Sequence, residues 1–148
     1  MAIPDFDDEG FLPSGVHPTT LEEIRSRFGQ FQHSDVRCQL ANKLDAFLKE
    51  ARSSDLFAEI IINGSFISAK DEPNDIDLIL VLNLGHDFAA ELRPFEYNVI
   101  SRRQVRRRFG FDVLVAQLGQ PEHFEYVQFF SQVRGNPGRQ KGMLRITL

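Results

Sequence analysis

Residues 61–82 read IINGSFISAKDEPNDIDLILVL. A β-branched run ends at Gly64-Ser65, a polar stretch follows, and a second apolar run opens with Asp75-Ile76-Asp77. Two runs of strand length separated by turn-forming residues predict two strands joined by a loop. The second run is apolar at every position after its acids, the pattern of a central strand covered on both faces. Side chains alternate along a strand, so Asp75 and Asp77 fall on one face while Ile76 and Leu78 fall on the other. Two carboxylates fixed side by side repel, and burying them unpaired costs several kcal/mol, on the order of a lost buried ion partner. A divalent cation resolves that conflict. Oxygen ligands of this kind suit Mg²⁺ or Mn²⁺.

Just upstream, Gly64 allows close approach of backbone to a ligand, and Ser65 offers a hydroxyl and a peptide N–H. If Phe66 begins a helical turn, its free N–H groups favour phosphate as well. A third acid, Asp112, interrupts the later strand-like run FGFDVLV. Should that strand pair beside the one carrying Asp75 and Asp77, three carboxylates converge, enough for a two-metal site.

The pattern of Gly64-Ser65, nine residues, Asp75-x-Asp77 and then Asp112 on a later strand resembles the DNA-polymerase-β-like nucleotidyltransferase superfamily, over about residues 60–116. The resemblance implies that the Gly-Ser turn holds a nucleoside triphosphate such as ATP, that Asp75 and Asp77 bind the metals, and that Asp112 shares a metal and activates an acceptor hydroxyl. The segments FLPSGVHPTTLEEIRSRFG and GNPGRQKG further resemble short bacterial members of unassigned function. Larger enzymes of the superfamily carry a helical domain for base and acceptor recognition, for which this chain has no room. Some small members are antitoxins that nucleotidylate a partner toxin and others are toxins that modify transfer RNA, so RNA and a partner protein both stand as acceptors. Two other phosphate-handling classes fit less well. Haloacid-dehalogenase-like enzymes place their acids at the end of an apolar strand, and Asp-x-Asp glycosyltransferases are longer and leave Gly64-Ser65 unexplained.

The rest of the chain frames this segment. With 148 residues, 42% of them hydrophobic and fourteen of them Phe, it suffices for one domain with a core of phenyl rings. Residues 1–18, rich in Asp, Pro and Gly, read as an arm whose Phe6, Phe11, Leu12 and Val16 dock on a domain spanning 19–148. Thr19 and Thr20 each precede a Glu by three residues, and Gly29 follows, which predicts a short capped helix. Val36, Leu40, Leu44, Phe47, Leu48 and Ala51 recur at steps of three and four, one stripe of an amphipathic helix. Pro94 is expected to interrupt any helix in 85–100. Ser101 and Gly110 bracket a helix, a strand follows from Phe111, and Pro121 stands near the start of a Phe-rich helix read as core. The terminal MLRITL reads as an edge strand. The order ααββ(α)βαβ predicts an α/β (α+β) fold, a small mixed sheet flanked by helices.

A formal charge of −4 excludes a wholly basic nucleic-acid surface, yet Arg102–Arg108 sets five arginines in seven residues. A solvated face and an RNA or triphosphate contact explain that cluster equally. Arg139 and Lys141, in a Gly-rich stretch, serve either as phosphate contacts or as a polar turn. His17, His33, His86 and His123 show no metal-ligand spacing, and Asp71 and Glu72 read as solvated loop acids. The single Cys38 forms no intrachain disulfide, no run reaches membrane-span length, and MAIPDFDDEG lacks the features of a signal peptide, so a cytoplasmic protein is expected. The alternative to an enzyme is a non-catalytic nucleotide- or protein-binding module that keeps the fold.

Overall fold

The two strands expected on either side of Gly64-Ser65 pair antiparallel at the heart of a five-stranded sheet. The computed structural model describes residues 3–30, 35–70, 73–133 and 135–148; His33, Asp71 and Glu72 lie outside them. Its elements, in chain order, are β1 (Gly15–Pro18), α1 (Leu21–Phe28), α2 (Val36–Ser54), β2 (Phe57–Asn63), β3 (Asp77–Leu82), α3 (Pro94–Ile100), α4 (Arg102–Phe109), β4 (Asp112–Gln117), α5 (Pro121–Ser131), β5 (Gln132–Val133), β6 (Asn136–Gln140) and β7 (Gly142–Thr147). The large sheet runs β1-β7-β2-β3-β4, with β1–β7 and β3–β4 parallel and the other pairs antiparallel; β5 and β6 form a separate two-stranded sheet. The mixed sheet flanked by helices is the fold class expected.

Alternation along β2 and β3 divides the core in two. Ile60 and Ile62 face Leu80 and Leu78 on one side, where Phe28, Leu44, Phe47, Val105 and Phe109 cover them. Ile61 and Ile79 face the other side, under Tyr126, Val127 and Phe130 of α5. Each β3 side chain after Asp77 is buried on one face or the other, which is why the run needs no polar alternation. Phe47 meets Phe109 and Phe111 edge-on at 5.4 and 6.2 Å, so the phenyl-rich core follows the composition.

Four local expectations change. The segment read as an arm ends in a strand: Gly15–Pro18 pairs in parallel with β7, and Leu12 is buried. Consequently β7 lies between β1 and β2 and is not an edge. Pro94 opens α3 at its first turn, where its missing N–H costs nothing, and Glu96 accepts the Arg93 N–H at 2.8 Å. The Gly-rich stretch before Lys141 is strand β6, closed by a Lys141 N–H to Ser131 carbonyl bond of 2.7 Å. The caps of α1 and α4 are as expected: Thr20 accepts from the Glu23 N–H, Ser101 from the Gln104 N–H, and Gly110 ends α4 with φ 79°.

Candidate functional site

Gly64 carries φ 104°, and a Cβ there would come within 2.8 Å of the Asp75 carbonyl and 3.1 Å of the Asp77 nitrogen. The close approach this glycine permits is therefore to the chain leading into β3. Ser65–Ile67 then form a single 3-10 turn. Its N–H groups are not open to a phosphate, contrary to the expectation from sequence. The Ser65 N–H donates to Asp75 Oδ1 at 2.8 Å, the Ser65 hydroxyl also donates to that carboxylate, and the Phe66 N–H donates to the Asp75 carbonyl at 3.2 Å. Asp75 is thus the internal anion of the Gly-Ser turn, and it precedes the strand that was expected to contain it.

A residue with little signal in the sequence locks this loop from behind. Arg37, 4% exposed on α2, donates to the carbonyls of Phe28 at 3.2 Å and of Phe66 and Ser68 at 2.7 Å each, and to that of Lys70. A buried guanidinium supplies five donors in a rigid fork, which suits a loop that turns several carbonyls inward. Its only sequence signal is position: Arg37 sits one turn before Ala41, on the buried side of the helix.

The sheet register aligns three polar side chains. Asn63, Asp77 and Asp112 are neighbours across β2, β3 and β4, on the face that carries Ile61 and Ile79. Asn63 is 4% exposed, and Asp77 is half-buried. The pairing of Asp112's strand with that of Asp77 is as anticipated, but the partner of its carboxylate is Arg106 of α4, in an exposed ion pair. Among the described residues no group of three or more His, Cys, Asp and Glu side chains is placed to hold a metal ion. The expected convergence of three carboxylates is therefore not preformed.

A cleft of about 990 Å³ opens where β2, the 3-10 turn and β3's start meet the 9–12 segment and α5. Gly64, Ser65, Asp75, Asp77 and Lys141 line it with Asn63, whereas Asp112 does not. The Lys141 ammonium stands 5.9 Å from the Phe11 ring centroid, so the docked arm forms the wall beside it. Arg139 is committed to ion pairs with Asp7 and Glu9 and fastens that wall to β6. The Phe11 N–H, then, against partial desolvation, the Glu9 N–H and the Arg139 guanidinium, hold the Asp7 carboxyl below its ordinary pKa. The Phe-rich helix is only half core: Phe130 packs on the sheet, while Phe129 is 68% exposed and lines the cleft. Of the arginine cluster, Arg106 binds Asp112 and Arg108 makes a two-pronged pair with Glu50 at 2.8 and 2.9 Å.

Asp75 and Asp77, with carboxylate oxygens, and Asn63, with an amide oxygen, line the cleft together, and hard oxygen atoms of this chemistry suit Mg²⁺ or Mn²⁺. No helix among the described residues is long and apolar enough to cross a membrane. The chain matches a family of unknown function, DUF6932, over residues 4–147 and belongs to it. No curated protein and no solved structure matches the chain.

Proposed function

We propose that this DUF6932 protein is a cytoplasmic, metal-dependent nucleotidyltransferase of the polymerase-β-like kind, moving a nucleoside monophosphate from a nucleoside triphosphate to a hydroxyl of RNA or of a partner protein. The observation that carries the reading is that Gly64, Ser65, Asp75 and Asp77, from one short segment, and Lys141, far along the chain, line one cleft of about 990 Å³. That volume suits a small-molecule site. Asp75 and Asp77 would hold Mg²⁺ or Mn²⁺, which when bound offsets phosphate charge and polarises phosphoryl oxygens.

The chain's own groups supply the rest. Lys141 contributes positive charge for phosphate, and the exposed Phe129 ring offers a face to a nucleobase. The Ser65 hydroxyl turns to a phosphate only when its contact with Asp75 breaks, which couples nucleotide binding to release of that carboxylate. In the transfer itself, the acceptor oxygen bonds to the α-phosphorus, the bond from that phosphorus to pyrophosphate breaks, and the acceptor proton passes to Asp112. Asp112 must first leave Arg106. With side chains 57% and 67% exposed, that pair is worth about 1 kcal/mol at most, a small obstacle.

The place of Asp112, paired with Arg106 and not lining the cleft, favours a second reading, a non-catalytic nucleotide- or protein-binding module that keeps the fold. Incubation with α-labelled nucleoside triphosphates, Mg²⁺ or Mn²⁺ and cellular RNA or protein separates the two. Metal-dependent label transfer by wild type, absent in Asp75→Ala/Asp77→Ala, is expected. No transfer with any nucleotide or acceptor leaves the binding module.

A further inference from the structure

Asn63 ends β2 with only 4% of its surface exposed, yet its side-chain oxygen Oδ1 has no hydrogen-bond partner among the described residues. Its Nδ2 donates to the Phe130 carbonyl at 3.4 Å. This contact sets the orientation of the amide, because the reverse orientation would bring two carbonyl oxygens face to face. The oxygen is therefore a buried acceptor without a donor, a costly state that native interiors rarely keep.

Its surroundings favour a cation. Asn63 is directly opposite Asp77 in the antiparallel register, on the same face of the sheet, and both line the cleft. An acceptor set against a carboxylate repels anions and attracts positive charge. An aliphatic residue at this seat between the sheet and α5 would leave no side-chain polar atom without a partner, so the amide costs stability unless something binds its oxygen.

We propose that Asn63 is an additional oxygen ligand for a divalent cation in the cleft, acting with Asp77 as the neutral member of the donor set. The inference rests on the metal-binding part of the reading above. A neutral ligand adds coordination without adding a third carboxylate to a repelling pair.

Mn²⁺ binding to the full chain, without nucleotide, tests this through the disappearance of the free-ion electron paramagnetic resonance signal. Wild type, Asn63→Leu, Asn63→Asp and Asp77→Asn are compared, and each is melted in EDTA. Asn63→Leu should bind Mn²⁺ about tenfold or more weakly while melting in EDTA at or above the wild-type temperature, since it removes an orphaned acceptor. Asn63→Asp should bind about tenfold more tightly, because ligand charge raises cation affinity. Wild-type affinity in Asn63→Leu overturns the proposal, and loss in Asp77→Asn within the same series leaves the metal site standing. If the Leu variant does not fold, unchanged or weaker binding by Asn63→Asp overturns it instead. Wild-type protein that binds no Mn²⁺ removes both the ligand and the metal site.

Discussion

Asp77 and Asp112 occupy the same register position on adjacent parallel strands, and the second of them is bound by Arg106. The backbone thus places the two acids side by side, while a side chain from α4 pairs with the second. Because the pair is exposed, Arg106→Ala should change the free energy of unfolding by less than about 1 kcal/mol. Transfer activity should stay at or above wild type, since Asp112 is released. Asp112→Asn should lower transfer by about 10²- to 10⁴-fold, the usual contribution of a positioned base, with little change in melting temperature. Equal loss of transfer in both variants would mean that the pair itself is part of the site.

Two glycines with positive φ separate backbone strain from close packing. Gly110 caps α4 at φ 79°, and a methyl group added there would meet no packing partner within 4 Å among the described residues, so Gly110→Ala should cost only about 1–2 kcal/mol. Gly64 combines φ 104° with a methyl position only 2.8 Å from the Asp75 carbonyl. Gly64→Ala should cost about 3 kcal/mol or more, strain plus the displacement of β3's start. Urea denaturation of the two variants measures the difference; equal losses would show that packing around Gly64 yields easily.

What was legible in the sequence was local. The caps Thr20 and Ser101 and the two apolar runs around Gly64-Ser65 act within a few residues and have their expected places, except that the second strand begins at Asp77 and leaves Asp75 outside it. The candidate positions Gly64, Ser65, Asp75, Asp77 and Lys141 line one cleft. What was not legible depends on partners far along the chain. β1 is a strand only because β7 offers it an edge, and β7 is internal only because β1 covers it. Arg37 looks like a surface residue until carbonyls from the end of α1 and from the 66–70 segment turn toward it. The exposure of Phe129 likewise follows from where α5 crosses the sheet, a relation that helical periodicity does not encode.

The arm's attachment should depend on pH. The Phe11 N–H, with the Glu9 N–H and the Arg139 guanidinium beside it, outweighs desolvation and holds the folded-state pKa of Asp7 below its unfolded value. A depressed carboxyl pKa stabilises the fold fully above the unfolded value, about 3.9, and that stabilisation disappears as pH falls through the folded one. Asp7→Asn should therefore melt below wild type at pH 7, and the gap should narrow steadily as pH is lowered below about 4. A gap that persists unchanged in acid would assign the role of Asp7 to packing alone.

Arg37 should be the most sensitive polar position outside the cleft. Its guanidinium is buried and bonds to the carbonyls of Phe28, Phe66, Ser68 and Lys70. Replacing it with Leu keeps some apolar bulk but leaves carbonyls in the interior without donors, each worth about 1–3 kcal/mol. Arg37→Leu should accordingly lose about 3 kcal/mol or more, read from urea denaturation. Arg37→Lys should recover only part of it, because an ammonium has three donors and no planar fork. The consequence for the cleft is specific. With the far side of the 65–70 segment released, hydrogen exchange at Ser65 and Phe66 should accelerate more than exchange in β2 and β3. Uniform acceleration across all three would make Arg37 a general stabiliser rather than the residue that positions the Gly-Ser turn.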